Sequence, residues 1–148
     1  NIAWGQCKGY GLQSGHFLLH GEEIADIKSP GGVFCDHMQT LTSSAVVSYR
    51  LLDRTTFTGQ MFFASGLRTA VEGGKTNSTH SPSYTIYNLS IAHIVPLPWH
   101  GQKFLLGFDV VNVFDEEYFI NRGEGSIGLG VSHAGMPRSY FVRGQWFF

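Results

Sequence analysis

Seven histidines, with scattered serines and aspartates, are the residues of this chain that could do chemistry. Hydrolysis by a serine nucleophile needs a nucleophile, a base and an orienting group held close together. The G-x-S-x-G turn that presents such a serine is absent, and no short stretch combines the three roles. The sequence therefore predicts that the chain is not an enzyme.

His16 and His20 have the i, i+4 spacing with which two histidines on a helix bind zinc. The glutamate of H-E-x-x-H is missing between them, so no general base is supplied. On a strand the two imidazoles would stand about 13 Å apart. That separation is too large for one metal with bonds of about 2 Å. We therefore expect no metal site and no cofactor.

Residues 123–128 (GEGSIG) fit the G-x-G-x-x-G pattern of dinucleotide-binding loops. In that motif the glycines let a phosphate approach the N-terminus of a following helix. Residues 129–137 contain two more glycines and a proline, and they show no helical period. The pattern here predicts an external loop.

Composition limits the class of protein. Lys and Arg number 10 and Asp and Glu 11, which gives no electrostatic basis for binding nucleic acid. Charged residues are only 14%, aromatic residues also reach 14%, and there are 19 glycines. This balance suits a β-protein coated with apolar groups, and equally a glycine-rich soluble sandwich. No apolar run approaches the roughly 18 residues of a membrane helix, which excludes helical membrane proteins.

The two cysteines and the first residue carry two further expectations. Cys7 and Cys35 would form a disulfide only in an oxidising compartment, and two cysteines do not make a disulfide framework, so we expect unpaired thiols. The sequence begins at Asn1 without methionine or signal peptide. We therefore expect a C-terminal piece, or a processed form, of a longer protein.

Five long stretches alternate apolar with small or polar residues at the two-residue period of a strand. They cover residues 38–50, 55–66, 84–95, 103–114 and 137–148. Ordinary strands average about five to six residues, whereas strands of about 9–11 cross a membrane at a tilt. The sequence predicts an all-β, antiparallel meander of five to six long strands, with apolar side chains outward and small or polar ones inward. Asp109 and Asn112 then face the inside or the rim.

The connections alternate in length. Residues 51–54 and 96–102 are short connections, whereas residues 67–83, 115–136 and roughly 21–36 are long, polar and rich in glycine. Outer-membrane barrels have this asymmetry, with tight periplasmic turns and extended outer loops. Residues 1–20 leave two arrangements open, a single strand over 9–20 or a hairpin near 13–15.

Four short motifs stand in order along residues 36–148. They are DHMQTLT at 36–42, FASGLR at 63–68, FDVVNVFD at 108–115 with Tyr118 nearby, and GMPR at 135–138 before a last strand that ends in Phe148. This order resembles the C-terminal end of TonB-dependent outer-membrane receptors. Two positions depart from the family pattern: Ala64 replaces the usual glycine, and Gly144 stands where the terminal signal usually has a bulky apolar residue.

The resemblance implies a transmembrane β-barrel of about 22 strands, of which residues 1–148 form the C-terminal part. The plug domain and the TonB box would precede it. The function implied is uptake of a scarce nutrient such as an iron–siderophore across the bacterial outer membrane, energised by TonB with ExbB and ExbD. The barrel-assembly machinery would recognise the last strand through Tyr140, Val142, Trp146 and Phe148.

Side chains of the external loops are candidates for ligand contact because loops tend to carry recognition. The candidates are Arg68, Arg122, Glu124 and His133. Interfacial aromatic girdles are expected from Trp99, Tyr118, Trp146, Phe147 and Phe148. Two alternatives stay open: another outer-membrane barrel such as a porin, which lacks a plug, and a soluble β-sandwich that binds carbohydrate.

Overall fold

The computed structural model describes residues 1–10, 30–35, 38–69, 77–98, 101–121 and 132–148. Throughout these ranges the regular secondary structure is β-strand. The strands are β1 Ile2–Trp4, β2 Lys8–Gly9, β3 Val33–Phe34, β4 Leu41–Leu51, β5 Thr55–Ala64, β6 Arg68–Thr69, β7 Thr79–His80, β8 Tyr84–Pro96, β9 Lys103–Val111, β10 Phe119–Asn121, β11 His133–Ala134 and β12 Ser139–Phe147. No described residue belongs to a helix with the length and apolar character needed to cross a membrane.

Six strands form the main sheet, in the order β1-β4-β5-β8-β9-β12, and every neighbouring pair is antiparallel. The five long alternating strands expected from the sequence are therefore confirmed, with small shifts at their ends. Strand β1 pairs the first residues of the chain with β4, from Ile2 opposite Ser43 to Trp4 opposite Leu41. Strands β1 and β12 are its two edges, so this sheet is open.

Short turns join the long strands at one end of the main sheet, and long connections join them at the other end. The turn at residues 52–54 joins β4 to β5, with Leu52 and Asp53 both at positive φ, as tight hairpin turns require. The connections from β1 to β4, from β5 to β8 and from β9 to β12 each contain a small two-stranded sheet. These sheets are β2–β3, β6–β7 and β10–β11, respectively. All three lie beyond the opposite end of the long strands, which we call the loop end; the other is the turn end.

Few apolar side chains are buried among the described residues. Ala64, Tyr84 and Ile86 form a small cluster at the loop end, and Tyr118 packs on it with its ring 4.5 Å from that of Tyr84. A single sheet has only one layer, so it provides no closed interior of its own. The long strands therefore leave most of their side chains accessible on both faces.

Asn112 fixes the start of the long connection after β9. It is 1% exposed and has a left-handed backbone, with φ of 54°. Its Nδ2 donates to the carbonyls of Glu116 and Met136, and its Oδ1 accepts from the amide of Glu116. Its own amide donates to Oδ1 of Asn88. Asn112 is therefore a buried hydrogen-bonding centre at the loop end.

The expectation of free thiols was wrong, because Cys7 and Cys35 are joined by a disulfide. The pairing follows from the β2–β3 register, which sets Lys8 opposite Phe34 and lets the amide of Cys35 donate to the carbonyl of Cys7. The Cα atoms lie 5.4 Å apart, within the usual range for a disulfide. This strand pairing is not readable from a separation of 28 residues.

Candidate functional site

The first functional feature is an apolar face that extends over the whole main sheet. Residues directly opposite each other in neighbouring strands lie on the same face, so the register assigns every position. On one face the strands β4, β5, β8, β9 and β12 carry no Asp, Glu, Lys or Arg. The rows of this apolar face include Val47, Gly59, Leu89, Val110 and Tyr140, and the next row Tyr49, Phe57, Ile91, Phe108 and Val142.

The apolar face is exposed. Val47 is 72% accessible and Val142 74%, although both lie in long, regularly paired strands. The face also presents the accessible side chains of Tyr49, Leu89, Leu106 and Tyr140. Soluble monomers rarely expose apolar patches of more than a few hundred Å², so a continuous face of this kind marks contact with an apolar environment or a partner.

The second face is polar along its middle, and we call it the polar face. The guanidinium of Arg143 holds Asp109 through two hydrogen bonds, from Nε at 2.6 Å and from Nη2 at 2.9 Å, and Nη2 also reaches Oγ of Ser90 at 3.3 Å. A Cβ at Gly107 would lie 3.3 Å from Nε of Arg143, so a side chain there would require the guanidinium to shift slightly. Thr58, Gln60 and Asn88 line the same groove, which has a volume of about 490 Å³. Asp109 lies on the same face as these polar residues, as the alternation predicted.

The last strand places three of its four predicted recognition residues on the apolar face. Tyr140 stacks on Phe108 with ring centroids 6.2 Å apart, Val142 lies opposite Phe108, and Trp146 lies opposite Phe104. Nε1 of Trp146 donates to Oε1 of Gln102 at 3.2 Å. Phe148 follows the strand and is fully exposed. These residues share one exposed surface, while their recognition by assembly machinery remains a prediction.

Gly144 has a packing explanation. A Cβ built at this position would stand 2.9 Å from Cζ of Phe104, whose ring lies over the glycine. The neighbouring strand β9 therefore supplies the apolar bulk that the residue itself lacks. The departure of Gly144 from the expected terminal pattern does not interrupt the apolar face.

Two of the aromatic residues expected in girdles face elsewhere. Tyr118 packs on Tyr84 inside the small buried cluster, and its ring leaves room only for a glycine at position 135. Phe147 lies opposite Lys103, on the polar face. Trp99 lies outside the described residues. At the loop end the apolar face instead carries Tyr87, whose ring meets Phe114 edge-on at 5.3 Å.

The third feature is a group of cations around one aromatic ring at the loop end. The guanidinium carbon of Arg68 lies 3.5 Å from the centroid of Phe34, and Nζ of Lys8 lies 4.8 Å from the same centroid. Asn77 connects the two small sheets, because its Nδ2 donates to the carbonyl of Phe34 and its own carbonyl accepts from Nη1 of Arg68. We call Lys8, Phe34, Arg68 and His80 the loop-end cluster.

His80 joins the loop-end cluster to a cavity. It lies opposite Arg68 in the β6–β7 register, and its Nε2 is 3.2 Å from Oγ1 of Thr40. Burial lowers the pKa of His80, and the charge of Arg68 lowers it further. Burial likewise lowers the pKa of Arg68. The cavity has a volume of about 500 Å³ and is lined by Trp4, Thr40, Leu41, Ser65, His80, Ser81 and Ser83.

The predicted ligand-contacting residues do not form one described site. Arg68 is in β6, within a long connection, and is 9% exposed. His133 is exposed in β11, which belongs to a different small sheet. Arg122 and Glu124 lie outside the described residues. Lys8, Phe34 and Trp4 were missed. Lys8 and Phe34 each adjoin a cysteine of the disulfide, but the pairing of Cys7 with Cys35 could not be read from their spacing.

The remaining sequence motifs fall on parts of the chain that the structure does not describe. His16, His20 and the glycine pattern at 123–128 are among them. Within the described ranges, no three His, Cys, Asp or Glu side chains are grouped so that they could hold a metal ion.

Comparison with known proteins returned no relative: the chain matches no protein-family model, no curated protein and no solved structure.

Proposed function

We propose that this chain is a wall segment of a transmembrane β-barrel, from a TonB-dependent receptor that takes up a scarce nutrient through the bacterial outer membrane. In this proposal lipid covers the apolar face, and the polar face lines the barrel interior. The long connections face outward, where a nutrient such as an iron–siderophore would bind. TonB with ExbB and ExbD would supply energy through a preceding part of the protein.

The observation that carries the proposal is the exposed apolar face without a charged residue in its five long strands. Exposure of this face to water would cost a free energy of roughly 25 cal/mol for each Å² of apolar surface. Hydrocarbon reverses that preference, and it excludes charges from the surface it touches. The charged residues of these strands, such as Arg50, Lys103, Asp109 and Arg143, all lie on the polar face.

The lengths of the strands and the unpaired backbone groups at the sheet edges agree with the proposal. Strands β4, β5, β8, β9 and β12 have 9 to 13 residues, and tilted strands of about 9–11 cross the hydrocarbon core. In a bilayer every backbone N–H and C=O needs a partner, so the open edges at β1 and β12 must pair with further strands of the same barrel. The four motifs that resemble the receptor family favour this class over a simple porin.

A soluble β-sandwich makes a different demand on the same sheet. It would need a second sheet about 10 Å from the apolar face to bury it. In the described ranges the buried apolar side chains of the long strands are Ala64, Tyr84 and Ile86, and all three lie on the polar face at the loop end. The membrane arrangement therefore explains the apolar face with fewer additional elements.

Cells that carry the natural gene test the proposal directly. We expect the protein in the outer-membrane fraction, and we expect its deletion to abolish uptake of at least one radiolabelled iron chelate or other scarce nutrient. Deleting TonB in the otherwise unchanged strain should abolish the same uptake. Recovery of the protein in the soluble fraction, or uptake that needs the protein but continues without TonB, would contradict the proposal.

A further inference from the structure

The loop-end cluster contains a buried arginine with an unsatisfied group. Arg68 is 9% exposed, and its Nε is buried without a hydrogen-bond partner. Among the described residues its guanidinium donates to the carbonyl of Asn77 from Nη1, and this hydrogen bond is long at 3.4 Å. Buried polar atoms are nearly always hydrogen-bonded, so an orphan donor needs an explanation, and a bound ion is one such explanation.

Lys8 adds positive charge near Arg68. Among the described residues, the ion pairs join Asp115 to Arg138 and Asp109 to Arg143, and neither pair involves Arg68. Lys8 approaches the ring on which Arg68 lies, and His80 stands opposite Arg68. A guanidinium stacked by its face keeps its N–H edge available for a planar anion.

The adjoining cavity offers one further polar group that is unused. Ser81 is 4% exposed, and its Oγ has no hydrogen-bond partner. It lines the cavity together with His80, the hydroxyls of Thr40, Ser65 and Ser83, and the indole of Trp4. Ligand sites commonly combine one strong charged anchor with a few hydroxyls and an aromatic wall.

We propose that the loop-end cluster binds an oxyanion of a small ligand, either a carboxylate or a phosphate, with Arg68 as its main contact and Lys8 and His80 as supporting donors. The cavity beside His80 then accepts the rest of the ligand. This inference rests on the proposed function in one respect only, which is the side of the membrane that the site faces. Anion binding itself can be measured in detergent, without insertion into a bilayer.

Calorimetric titration of the intact, detergent-solubilised protein tests this site. Sodium citrate and sodium phosphate are the probes, at constant ionic strength with chloride as the reference anion. We expect a saturable heat for at least one probe. The probe that binds more tightly shows whether the oxyanion of the natural ligand is a carboxylate or a phosphate. Arg68→Gln should weaken that binding about tenfold or more, because a charge-assisted fork is lost. Arg54→Gln, in the exposed turn at the other end of the sheet, is the matched control and should bind as the natural protein does.

Two further variants decide the outcome if Arg68→Gln fails to fold. Lys8 and His80 are both exposed, so Lys8→Gln and His80→Gln should fold, and each should weaken binding about threefold through loss of one donor. The absence of saturable heat with both probes in the natural protein would overturn the inference. Equal affinities for the natural protein, Lys8→Gln and His80→Gln would overturn it as well. Either result would leave the membrane assignment untouched, because nutrient uptake and fractionation test that separately.

Discussion

The two faces of the main sheet use the same strands for opposite purposes. Val46 and Val47 are chemically identical neighbours in the middle of β4, and their accessible fractions are similar, at 62% and 72%. Val46 lies opposite Gln60 on the polar face, and Val47 lies opposite Gly59 on the apolar face. Exposure alone therefore does not distinguish the faces. What distinguishes them is the chemistry of the neighbouring side chains.

The polar face satisfies its own groups, whereas the apolar face has almost none to satisfy. Asp109, Arg143 and Ser90 form one hydrogen-bonded group, and Ser48 bonds to Thr58. The histidine of these strands, His93, lies on the apolar face and pairs with Thr55 near the turn end. A sheet that confines its charges to one side is adapted to two different environments.

The largest expected effect comes from placing a charge on each face in turn. Val47→Arg should lower the free energy of unfolding in a phospholipid bilayer by about 2–4 kcal/mol, because position 47 is near the middle of its strand. Val46→Arg is the matched control and should cost much less. Reversible unfolding of the natural protein in lipid vesicles measures both values. Equal losses for the two variants would remove the distinction between the faces.

A smaller effect should come from the packing of Phe104 over Gly144. Gly144→Val should cost about 1 kcal/mol, because the new side chain displaces the Phe104 ring. In a Phe104→Leu background the same change should cost almost nothing, since the obstructing ring atom is gone. A double-mutant cycle measures this coupling. Identical costs in the two backgrounds would show that the ring does not occupy the space above the glycine.

The ion pair on the polar face should matter less. The side chain of Arg143 is 55% exposed, and exposed ion pairs contribute little to stability. Asp109→Asn and Arg143→Gln should each lower the unfolding free energy less than Gly144→Val does, and the double variant should be no worse than the single ones. A loss of unfolding free energy as large as that of Val47→Arg would mean that the polar face does not contact water.

The smallest effect concerns pH and the loop end. Because the pKa of His80 is lowered in the folded protein, the unfolded chain binds a proton more readily as the pH falls below about 6.5. This contribution of His80 to stability is present above that pH and is lost below it. The stability of His80→Gln should therefore fall less between pH 7 and pH 5 than that of the natural protein. Parallel pH profiles would contradict a lowered pKa for His80 in the folded protein.

The long strands were predictable because alternation is a local signal. In residues 84–95 and 103–114 the alternation of side chains predicted which residues share a face. The observed strands differ from the prediction only by small shifts at their ends. The loop end was not predictable in the same way. The disulfide and the stacking of Arg68 on Phe34 depend on the pairing of short strands far apart in the chain. Residue types alone do not encode that register.

Spin labels on the two neighbouring valines test the central claim most directly. In the natural protein reconstituted into bilayers, a label at Val47→Cys should be accessible to oxygen, which dissolves in hydrocarbon, and shielded from a water-soluble nickel chelate. A label at Val46→Cys should show the reverse preference. If the label at position 47 meets the nickel chelate as freely as the label at position 46, the apolar face does not contact lipid.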